Sequence, residues 1–400
     1  MSNEITKEPE IRFDGYEGDW EQHKLGDILS ERKIRSKISK EIPLLAFAAG
    51  QGVIDRSERK TNNRDFLTKD ANTKTYLLTK YNDIVYNPSN LKYGAIDRNK
   101  YGLGVISPIY ATFETNQVPE FIELIVTSYS FKQRALQYEE GTVTKRQSVK
   151  PENLLTLDVS ISKTLEEQQK IGTFFQQLDN TIALHQRELD LLEQTKQTYL
   201  QKMFPKTGED KPEIRFAGFT DAWEERKLKD ILREFSTKSK IENEYRVLSS
   251  TNVGMELRDG RVSGTSNLGY KIIKNGDLVL SPQNLWLGNI NINNIGTGLV
   301  SPSYKTFNFT DIDSSFIKPQ LRTPKMLEEY KNSSTQGASV VRRNLEIDSF
   351  YQIKIATPSI KEQEKIGSFF KQLDDTIALH QRKLDSLKEM KKTLLQKMFV

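Results

Sequence analysis

The sequence predicts a mixed α/β (α+β) fold arranged as two similar globular units, each followed by one long helix. Two observations predict this arrangement: the chain repeats itself with a period near 200 residues, and each repeat ends in a segment whose apolar residues recur in a heptad pattern. Such a period is too long for a solenoid, whose units span about 20–50 residues, and it indicates two tandem half-molecules. We expect the two long helices to form an antiparallel coiled coil, which would relate the units by a pseudo-twofold axis.

The composition excludes several classes of protein. The 400 residues include no cysteine and three histidines, which rules out a disulfide scaffold and leaves little material for a histidine metal site. Mean hydropathy is −0.61, no apolar run approaches the ~18 residues of a membrane helix, and the first residues lack the apolar core of a secretion signal. The absence of cysteine fits a reducing compartment, so we expect a cytoplasmic protein. The net charge of +5 permits a nucleic-acid partner without requiring one.

The first globular unit is predicted over residues 1–160 and the second over residues 213–357. Their opening segments share 12 of 20 residues, and only short anchors match between these openings and the helices. The matched segments are Glu10–Leu29 with Glu213–Leu232, Asn82–Val85 with Gly276–Val279, Gly102–Tyr110 with Gly296–Tyr304, and Gly141 and Arg146 with Gly337 and Arg342. One fold that carries two different surfaces explains this pattern.

Within each unit, short apolar runs lie between Gly and Pro residues, which predicts a largely antiparallel sheet. A helix is predicted before the last strands of each sheet, over Glu120–Tyr138 in the first unit and over Lys325–Asn332 in the second. Pro119 and Pro324 stand at the expected first helical position, which proline favours because its missing N–H is not needed there.

Each unit is followed by a predicted long spacer helix, at residues 161–204 and 358–400, with a polar linker at residues 205–212. The segments Leu165–Phe204 and Ile360–Phe399 agree at 27 of 40 positions, and a helix of that length spans ~60 Å. Steps of four and three residues define a coiled-coil seam, although an ordinary amphipathic helix packed on its own unit is the alternative. The seam residues are Ile171, Phe175, Leu178, Ile182, His185, Leu189 and Leu192, then Ile366, Phe370, Leu373, Ile377, His380, Leu384 and Leu387.

The sequence offers little catalytic chemistry. It contains no GxxxxGK[ST] phosphate loop, and Gly102-x-Gly104 lacks the third glycine of a dinucleotide site. Asn87-Pro88-Ser89 lacks the second proline and the aromatic residue of an adenine methyltransferase motif, so we interpret it as a turn. We therefore predict no catalytic residue and no metal site in this chain.

Recognition chemistry is better represented. Basic, amide and aromatic side chains cluster in turn-like segments, and matched segments of the two units carry different polar residues. Arg and Lys pair with guanine or phosphate and Asn and Gln pair with adenine, so these side chains are candidate DNA contacts. Solvated loops are the alternative for each cluster, and the two aromatic candidates suit a core role equally well. The candidates are Arg32, Lys33, Arg35, Asn90, Lys92, Tyr93, Lys145, Arg146, Gln147, Gln283, Asn284, Trp286, Arg342, Arg343 and Asn344.

The chain resembles the specificity subunit of a type I restriction–modification enzyme. The resemblance rests on the openings Trp20-x3-Lys24-Leu25-x-Asp27 and Trp223-x3-Lys227-Leu228-x-Asp230, on two Ser-Pro-x-Tyr segments, and on two Glu-Gln-x-Lys-Ile-Gly helices that end in Leu-Gln-Lys-Met-Phe. It covers essentially the whole chain. The order and the duplication of these motifs are more specific than any one of them.

The resemblance implies that each globular unit is a target recognition domain that reads one half of a bipartite site in double-stranded DNA. The helices would set the length of the unread spacer and dock two modification (methyltransferase) subunits. This subunit would hold no cofactor, because S-adenosylmethionine, ATP and Mg²⁺ would be used by the modification and restriction (endonuclease and translocase) subunits. The competing hypothesis is a coiled-coil scaffold with two ligand- or peptide-binding modules that do not bind DNA, and a standalone nuclease or methyltransferase ranks third.

Overall fold

The computed structural model describes residues 8–48, 50–58, 74–141, 147–258, 266–336 and 343–399. The chain divides into two compact units. Unit 1 consists of residues 1–185 and 383–400, and unit 2 consists of residues 186–382. Each unit therefore contains part of both long helices predicted from the heptads.

Unit 1 is a mixed structure of short strands and short helices. Its strands are β1 (Glu21–Lys24), β2 (Leu29–Glu31), β3 (Arg35–Ser36), β4 (Leu45–Ala48), β5 (Gly52–Asp55), β6 (Tyr76–Thr79), β7 (Ile84–Tyr86), β8 (Ile96–Arg98), β9 (Gly104–Ile106), β10 (Ala111–Thr115) and β11 (Asp158–Ile161). Its short helices are α1 (Leu25–Ile28), α2 (Pro119–Val126), α3 (Tyr129–Leu136) and α4 (Pro151–Leu155). The largest sheet has the order β2-β10-β7-β8, and the smaller ladders are β3-β6-β9, β4-β5 and β1-β11.

Unit 2 repeats this frame. Its strands are β12 (Glu224–Lys227), β13 (Leu232–Phe235), β14 (Leu248–Ser250), β15 (Met255–Leu257), β16 (Lys271–Ile273), β17 (Leu278–Leu280), β18 (Ile290–Ile292), β19 (Gly298–Val300), β20 (Lys305–Phe309), β21 (Ser334–Gln336), β22 (Arg343–Leu345) and β23 (Lys354–Thr357). Its short helices are α6 (Leu228–Ile231), α7 (Ser314–Ile317), α8 (Pro324–Asn332) and α9 (Ile347–Gln352). The sheet β13-β20-β17-β18 corresponds to the sheet of unit 1, and the ladders β12-β23 and β14-β15 correspond to β1-β11 and β4-β5. The named strands of both units pair antiparallel, which confirms the predicted α+β class.

The helix predicted over Glu120–Tyr138 is two helices, α2 and α3, because Ser128 breaks it. The backbone of Ser128 is extended, and its hydroxyl accepts a hydrogen bond from the Phe131 N–H at 3.1 Å, which caps the second helix. The helix predicted over Lys325–Asn332 is confirmed as α8, with Thr323 as its cap. Pro119 and Pro324 occupy the predicted first positions.

The long helices are α5 (Leu165–Lys202) and α10 (Ile360–Met398). In unit 1 the Lys391 Nζ lies 2.5 Å from an Asp179 carboxylate oxygen, and the rings of Phe175 and Phe399 are 6.3 Å apart, so the two helical segments run antiparallel. Unit 2 shows the same direction through two contacts of its own. The Lys196 Nζ lies 2.6 Å from an Asp374 oxygen, and the Tyr199 and Phe369 rings are 5.0 Å apart.

The seam residues face inward in both units. Those in unit 1 are Ile171, Phe175, Leu178, Ile182, His185, Leu384 and Leu387, and those in unit 2 are Leu189, Leu192, Ile366, Phe370, Leu373, Ile377 and His380; all are buried or half-buried. Exposed positions on the same helices, such as Leu184 and Leu379, lie off the seam.

The end of each long helix completes an aromatic cluster in the core. In unit 1 the Trp20 ring packs against Phe121 and Phe399, with centroids 5.4 and 5.5 Å away. In unit 2 Trp223 packs the same way against Phe316 at 5.6 Å and Phe204 at 6.1 Å. The repeated Trp and the final Phe of each Leu-Gln-Lys-Met-Phe segment are therefore packing residues.

The repeated Glu-Gln pair anchors each long helix to its unit. Glu167 is buried and accepts two hydrogen bonds from the Arg12 guanidinium, at 2.6 and 2.9 Å, while the Gln168 amide oxygen accepts the Val118 N–H at 3.2 Å. The partners in unit 2 are Arg215 with Glu362, at 2.7 and 2.8 Å, and the Asp313 N–H with Gln363, at 2.9 Å. These contacts explain why the openings and the helix starts repeat together.

Candidate nucleic-acid interface

The first group of predicted DNA contacts in unit 1 lies on a short 3-10 helix, Pro88–Tyr93. The Asn87 side chain accepts a hydrogen bond from the Ser89 N–H at 3.1 Å, and Gly94 ends the turn in the left-handed region with φ 78°. Tyr93 is 67% exposed, with the Lys92 Nζ 5.5 Å from its ring centroid, so the core role considered for Tyr93 is excluded. Asn90 is also exposed. This turn therefore presents an amide and an aromatic face to solvent, while the Nζ of the half-buried Lys92 lies 4.0 Å from a Glu139 carboxylate oxygen.

One residue of the second group in unit 1, Gln147, lies beside the same turn. The Val149 N–H donates to the Pro88 carbonyl at 3.1 Å, and Ser148 forms a bridge with Glu140, which brings the chain at Gln147 next to the 3-10 helix. Lys145 and Arg146 lie outside the described residues, and their contact with DNA stays a prediction. Gln147 and the turn Asn90–Tyr93, which are distant in the sequence, thus lie on one part of unit 1.

Unit 2 carries the matched pair of segments. Gln283 is exposed and Asn284 half-buried just before a 3-10 helix, Leu285–Leu287, which ends at Gly288 with φ 85°. Within this turn Trp286 is half-buried, and its indole nitrogen has no hydrogen-bond partner in the part of the chain that the structure describes.

Helix α8 packs against both this turn and the hairpin β21-β22. In that hairpin Arg343 donates from Nε to the Ser334 hydroxyl at 3.0 Å and from Nη2 to the Ser334 carbonyl at 3.1 Å. These bonds hold the hairpin together and argue against Arg343 as a base contact. Asn344 is exposed on β22, and Arg342 lies outside the described residues.

The structure gives Arg32 a role inside the fold instead of on a DNA-binding surface. Its Nε lies 2.9 Å from the Asp83 carboxylate and its Nη2 lies 2.7 Å from Glu114, and only 9% of the side chain is exposed. Hydrogen bonding to Asp83 raises the pKa of Arg32. Lys33 and Arg35 remain exposed, with the Lys33 Nζ 3.2 Å from Glu31.

A buried ionic network in unit 1 was missed by the sequence analysis. Arg98 on β8 is 2% exposed and pairs with Glu120 at 2.8 Å and with Glu123 at 2.7 Å. Burial raises the pKa of the neighbouring Asp97 to about 6, with Lys100 opposing the shift. The partners of Arg98 lie 22 and 25 residues further along the chain, so no local pattern in the sequence could have indicated this network.

The two units carry matched apolar grooves. The groove of unit 1 has a volume of about 850 Å³ and lies between the end of α10 at Leu395 and Phe399, the start of α3 at Tyr129, and Val159 on β11. The groove of unit 2, about 550 Å³, is formed by the same elements of the other repeat, with Leu200, Phe204, Pro324 and Ile355 among its lining residues. The described residues lining both grooves include basic but no acidic side chains.

Comparison with known proteins points in one direction. Residues 220–389 match the family model described as the type I restriction modification DNA specificity domain. Over 302 residues the chain is 20% identical to a protein of Methanocaldococcus jannaschii named as the type I restriction enzyme MjaX specificity subunit, and the match covers 70% of this chain and 67% of that protein. The fold is similar to the crystal structure of the S subunit of a type I restriction-modification system from M. genitalium, with a TM-score of 0.63, 16% identity, and coverage of 98% of this chain and 99% of that chain. None of the described helices is long and apolar enough to cross a membrane.

Proposed function

We propose that this chain is a type I restriction–modification DNA specificity subunit and reads one half of a bipartite DNA site with each of its two units. The observation that carries this proposal is the repetition of one frame with different side chains at a matched turn, where Lys92 and Tyr93 of unit 1 stand at the places of Trp286 and Leu287 of unit 2. Amide, cationic and aromatic groups at these turns match the hydrogen-bonding and stacking chemistry of bases. No observation favours the alternative of a scaffold that does not bind DNA.

The matched grooves support the docking of two copies of one partner, the modification subunit. A partner that meets both units in the same way needs the same surface twice, and the groove walls contributed by the helix ends are repeated almost residue for residue. The apolar lining of both grooves favours a segment of that partner whose apolar residues fill them. Methylation with S-adenosylmethionine, and cleavage with ATP and Mg²⁺, would then belong to the modification and restriction subunits in the cytoplasm.

The DNA-reading role is tested by exchanging one unit. Residues 10–160 are replaced by the equivalent unit of a relative, the chimera is expressed with its modification subunits, and methylated adenines are mapped in the host genome. We expect one half of the methylated motif to change and the other half to persist. The matched control exchanges residues 213–357 and should change the opposite half. If either exchange alters both halves or neither, one unit does not read one half-site.

The docking role is tested at Tyr129, which is 74% exposed in the groove of unit 1. Tyr129→Glu places a charge in this apolar groove, which an apolar segment of the partner would have to desolvate, and we expect the mass of the purified complex to fall from two modification subunits to one. Tyr93→Glu, at an equally exposed aromatic residue outside the groove, is the matched control and should keep both subunits. Retention of two subunits by the Tyr129 variant would place the docking surface elsewhere.

A further inference from the structure

Unit 2 contains a polar cavity of about 350 Å³ that the DNA-contact residues do not line. Strand β18 contributes Asn291, the segment after α7 contributes Lys318 and Arg322, and the long helices contribute Lys196 and Asp374. Asp374 is already balanced, because its carboxylate lies 2.6 Å from the Lys196 Nζ and 3.8 Å from the Lys318 Nζ.

Arg322 carries a charge without a carboxylate partner among the described residues. Its Nη1 donates to the Val253 carbonyl at 2.8 Å and its Nη2 donates to the Asn291 amide oxygen, so both partners are neutral. Burial lowers the pKa of Arg322, whereas hydrogen bonds to carboxylates raise the pKa of Arg12 and Arg215. Since a guanidinium stays protonated, the half-buried charge of Arg322 can accept a counter-charge from outside the unit.

In unit 1 the matched place contains basic residues together with the carboxylates that neutralise them. There the buried Arg98 is held by Glu120 and Glu123, and Glu123 also pairs with Lys100. The hydrogen bonds from the Val118 and Asp313 N–H groups to matched glutamines align α2 with α7.

This alignment shows that unit 2 has replaced the acids of unit 1. Ser315 stands at the position of Glu120, Lys318 at that of Glu123, and Asn291 at that of Asp97. Three carboxylates of one unit are therefore a hydroxyl, a cation and an amide in the other, while the ion pair between the long helices is retained in both.

We propose that the cavity in unit 2 binds a phosphate group, with Arg322 and Lys318 as its cationic ligands. A guanidinium offers parallel N–H donors that match two phosphate oxygens, and a lysine ammonium beside it adds a second charge. The phosphate comes either from a DNA backbone, in which case the inference rests on the proposed function, or from a free phosphate compound. Unit 1 cannot bind phosphate at the matched place, because Glu120 and Glu123 already neutralise the buried Arg98 there.

The test measures thermal unfolding of the full chain against inorganic phosphate, with chloride used to keep the ionic strength constant. The wild-type chain should show a saturable rise in Tm. Arg322→Gln should weaken the apparent phosphate affinity about tenfold or more, because it removes a charge-assisted contact. Lys318→Glu restores the acid of unit 1, so its carboxylate can neutralise Arg322 and its Tm should not respond to phosphate. Lys100→Gln, in the matched network of unit 1, should respond as the wild type does.

An equal rise in Tm for the wild type and Arg322→Gln would overturn the site, since phosphate also stabilises proteins by exclusion from their surfaces. A Lys318→Glu chain that keeps the full response would overturn it as well, and does not depend on the folding of the arginine variant. A DNA arm then separates the two sources. If the phosphate is part of DNA, Arg322→Gln should reduce the slope of log affinity against log salt by about one. If the salt dependence of DNA binding is unchanged while phosphate still raises the Tm, the ligand is a free phosphate compound. A chain that binds no DNA would refute the proposed function, but the rise in Tm with phosphate would still stand.

Discussion

Asp97 is a half-buried carboxyl of unit 1 whose ionisation the fold disturbs. Burial raises its pKa to about 6, from an ordinary value of 3.8, so the folded state binds this proton more tightly than the unfolded chain. The stability that follows is fully present below about pH 4 and is lost as the pH rises through about 6. At neutral pH the buried charge of Asp97 therefore works against folding.

Asp97→Asn copies Asn291, which occupies the matched position in unit 2. We expect the free energy of unfolding to rise by roughly 1–3 kcal/mol at pH 7.5 and to change little at pH 4, as measured by urea unfolding. Asp55→Asn is a control of opposite sign, because the hydroxyl and N–H of Ser57 lower the pKa of Asp55. Equal effects of the Asp97 variant at both pH values would show that its charge is not the cause.

Arg12 holds a carboxylate that has no access to water. Glu167 is 1% exposed, and its carboxylate accepts two hydrogen bonds from the Arg12 guanidinium and one from the Ser162 hydroxyl. Arg12→Ala should therefore destabilise unit 1 by about 3–5 kcal/mol, because it leaves a buried charge unpaired. Replacing both residues with methionine should recover most of that loss in the same thermal unfolding experiment. A double variant as unstable as the single one would mean that the arginine matters for its packing alone.

At the scale of elements, Gly172 allows α5 to lie directly against the start of α2. A Cβ atom added at Gly172 would stand 2.7 Å from the Cβ of Glu120, and one added at Gly367 would stand 2.8 Å from the backbone of Ser315. This close approach explains the glycine in both Glu-Gln-x-Lys-Ile-Gly segments. It is a requirement of packing, since glycine in a helix interior is itself unfavourable.

Gly172→Ala should destabilise the protein by about 1–3 kcal/mol through overpacking, although alanine improves helix propensity by about 1 kcal/mol. The measurement is the midpoint of urea unfolding. Gln177→Ala, at an exposed position of the same helix, gains no clash and should be neutral or slightly stabilising. Stabilisation by Gly172→Ala would mean that α2 moves away from α5 at little cost.

The elements that sequence reasoning predicted best are those with local signals. The heptads located α5 and α10 because each seam residue is three or four positions from the next, and Pro324 marked the start of α8 correctly. The break at Ser128 was missed because a serine inside a helical pattern is ambiguous until its hydroxyl is seen to cap α3.

Predictions failed where the deciding partner is distant in the sequence. Arg32 looked like part of a basic cluster, yet its carboxylate partners lie 51 and 82 residues further on. The residues near Arg322 in the sequence did not indicate that its charge lacks a carboxylate partner. This became visible only by comparison with unit 1, where glutamates stand at the matched positions. A charge pattern read along the chain cannot show which charges the fold neutralises.

At the scale of the whole molecule, the division of the chain means that neither half of the sequence contains a complete unit. Unit 1 requires residues 383–400, whose Met398 is 3% exposed in its core and whose Phe399 packs on Trp20. A chain that ends after Phe204 lacks these residues. It retains Met203 and Phe204, which are the same residue types at the matched positions.

We therefore expect the chain cut after Phe204 to form a dimer in which each copy supplies its helix end to the core of the other. Because folding is coupled to association, its Tm should rise with protein concentration, and light scattering should give twice the monomer mass. Phe204→Ala in the truncated chain removes the ring that would pack on Trp20 of the second copy, and should weaken the dimer strongly, whereas Gln201→Ala, exposed one turn earlier, should not. With modification subunits the dimer should direct methylation to a symmetrical site made of the first half-site twice. A folded truncated chain that stays monomeric at all concentrations would contradict this exchange, since its core would then be complete without the second helix end.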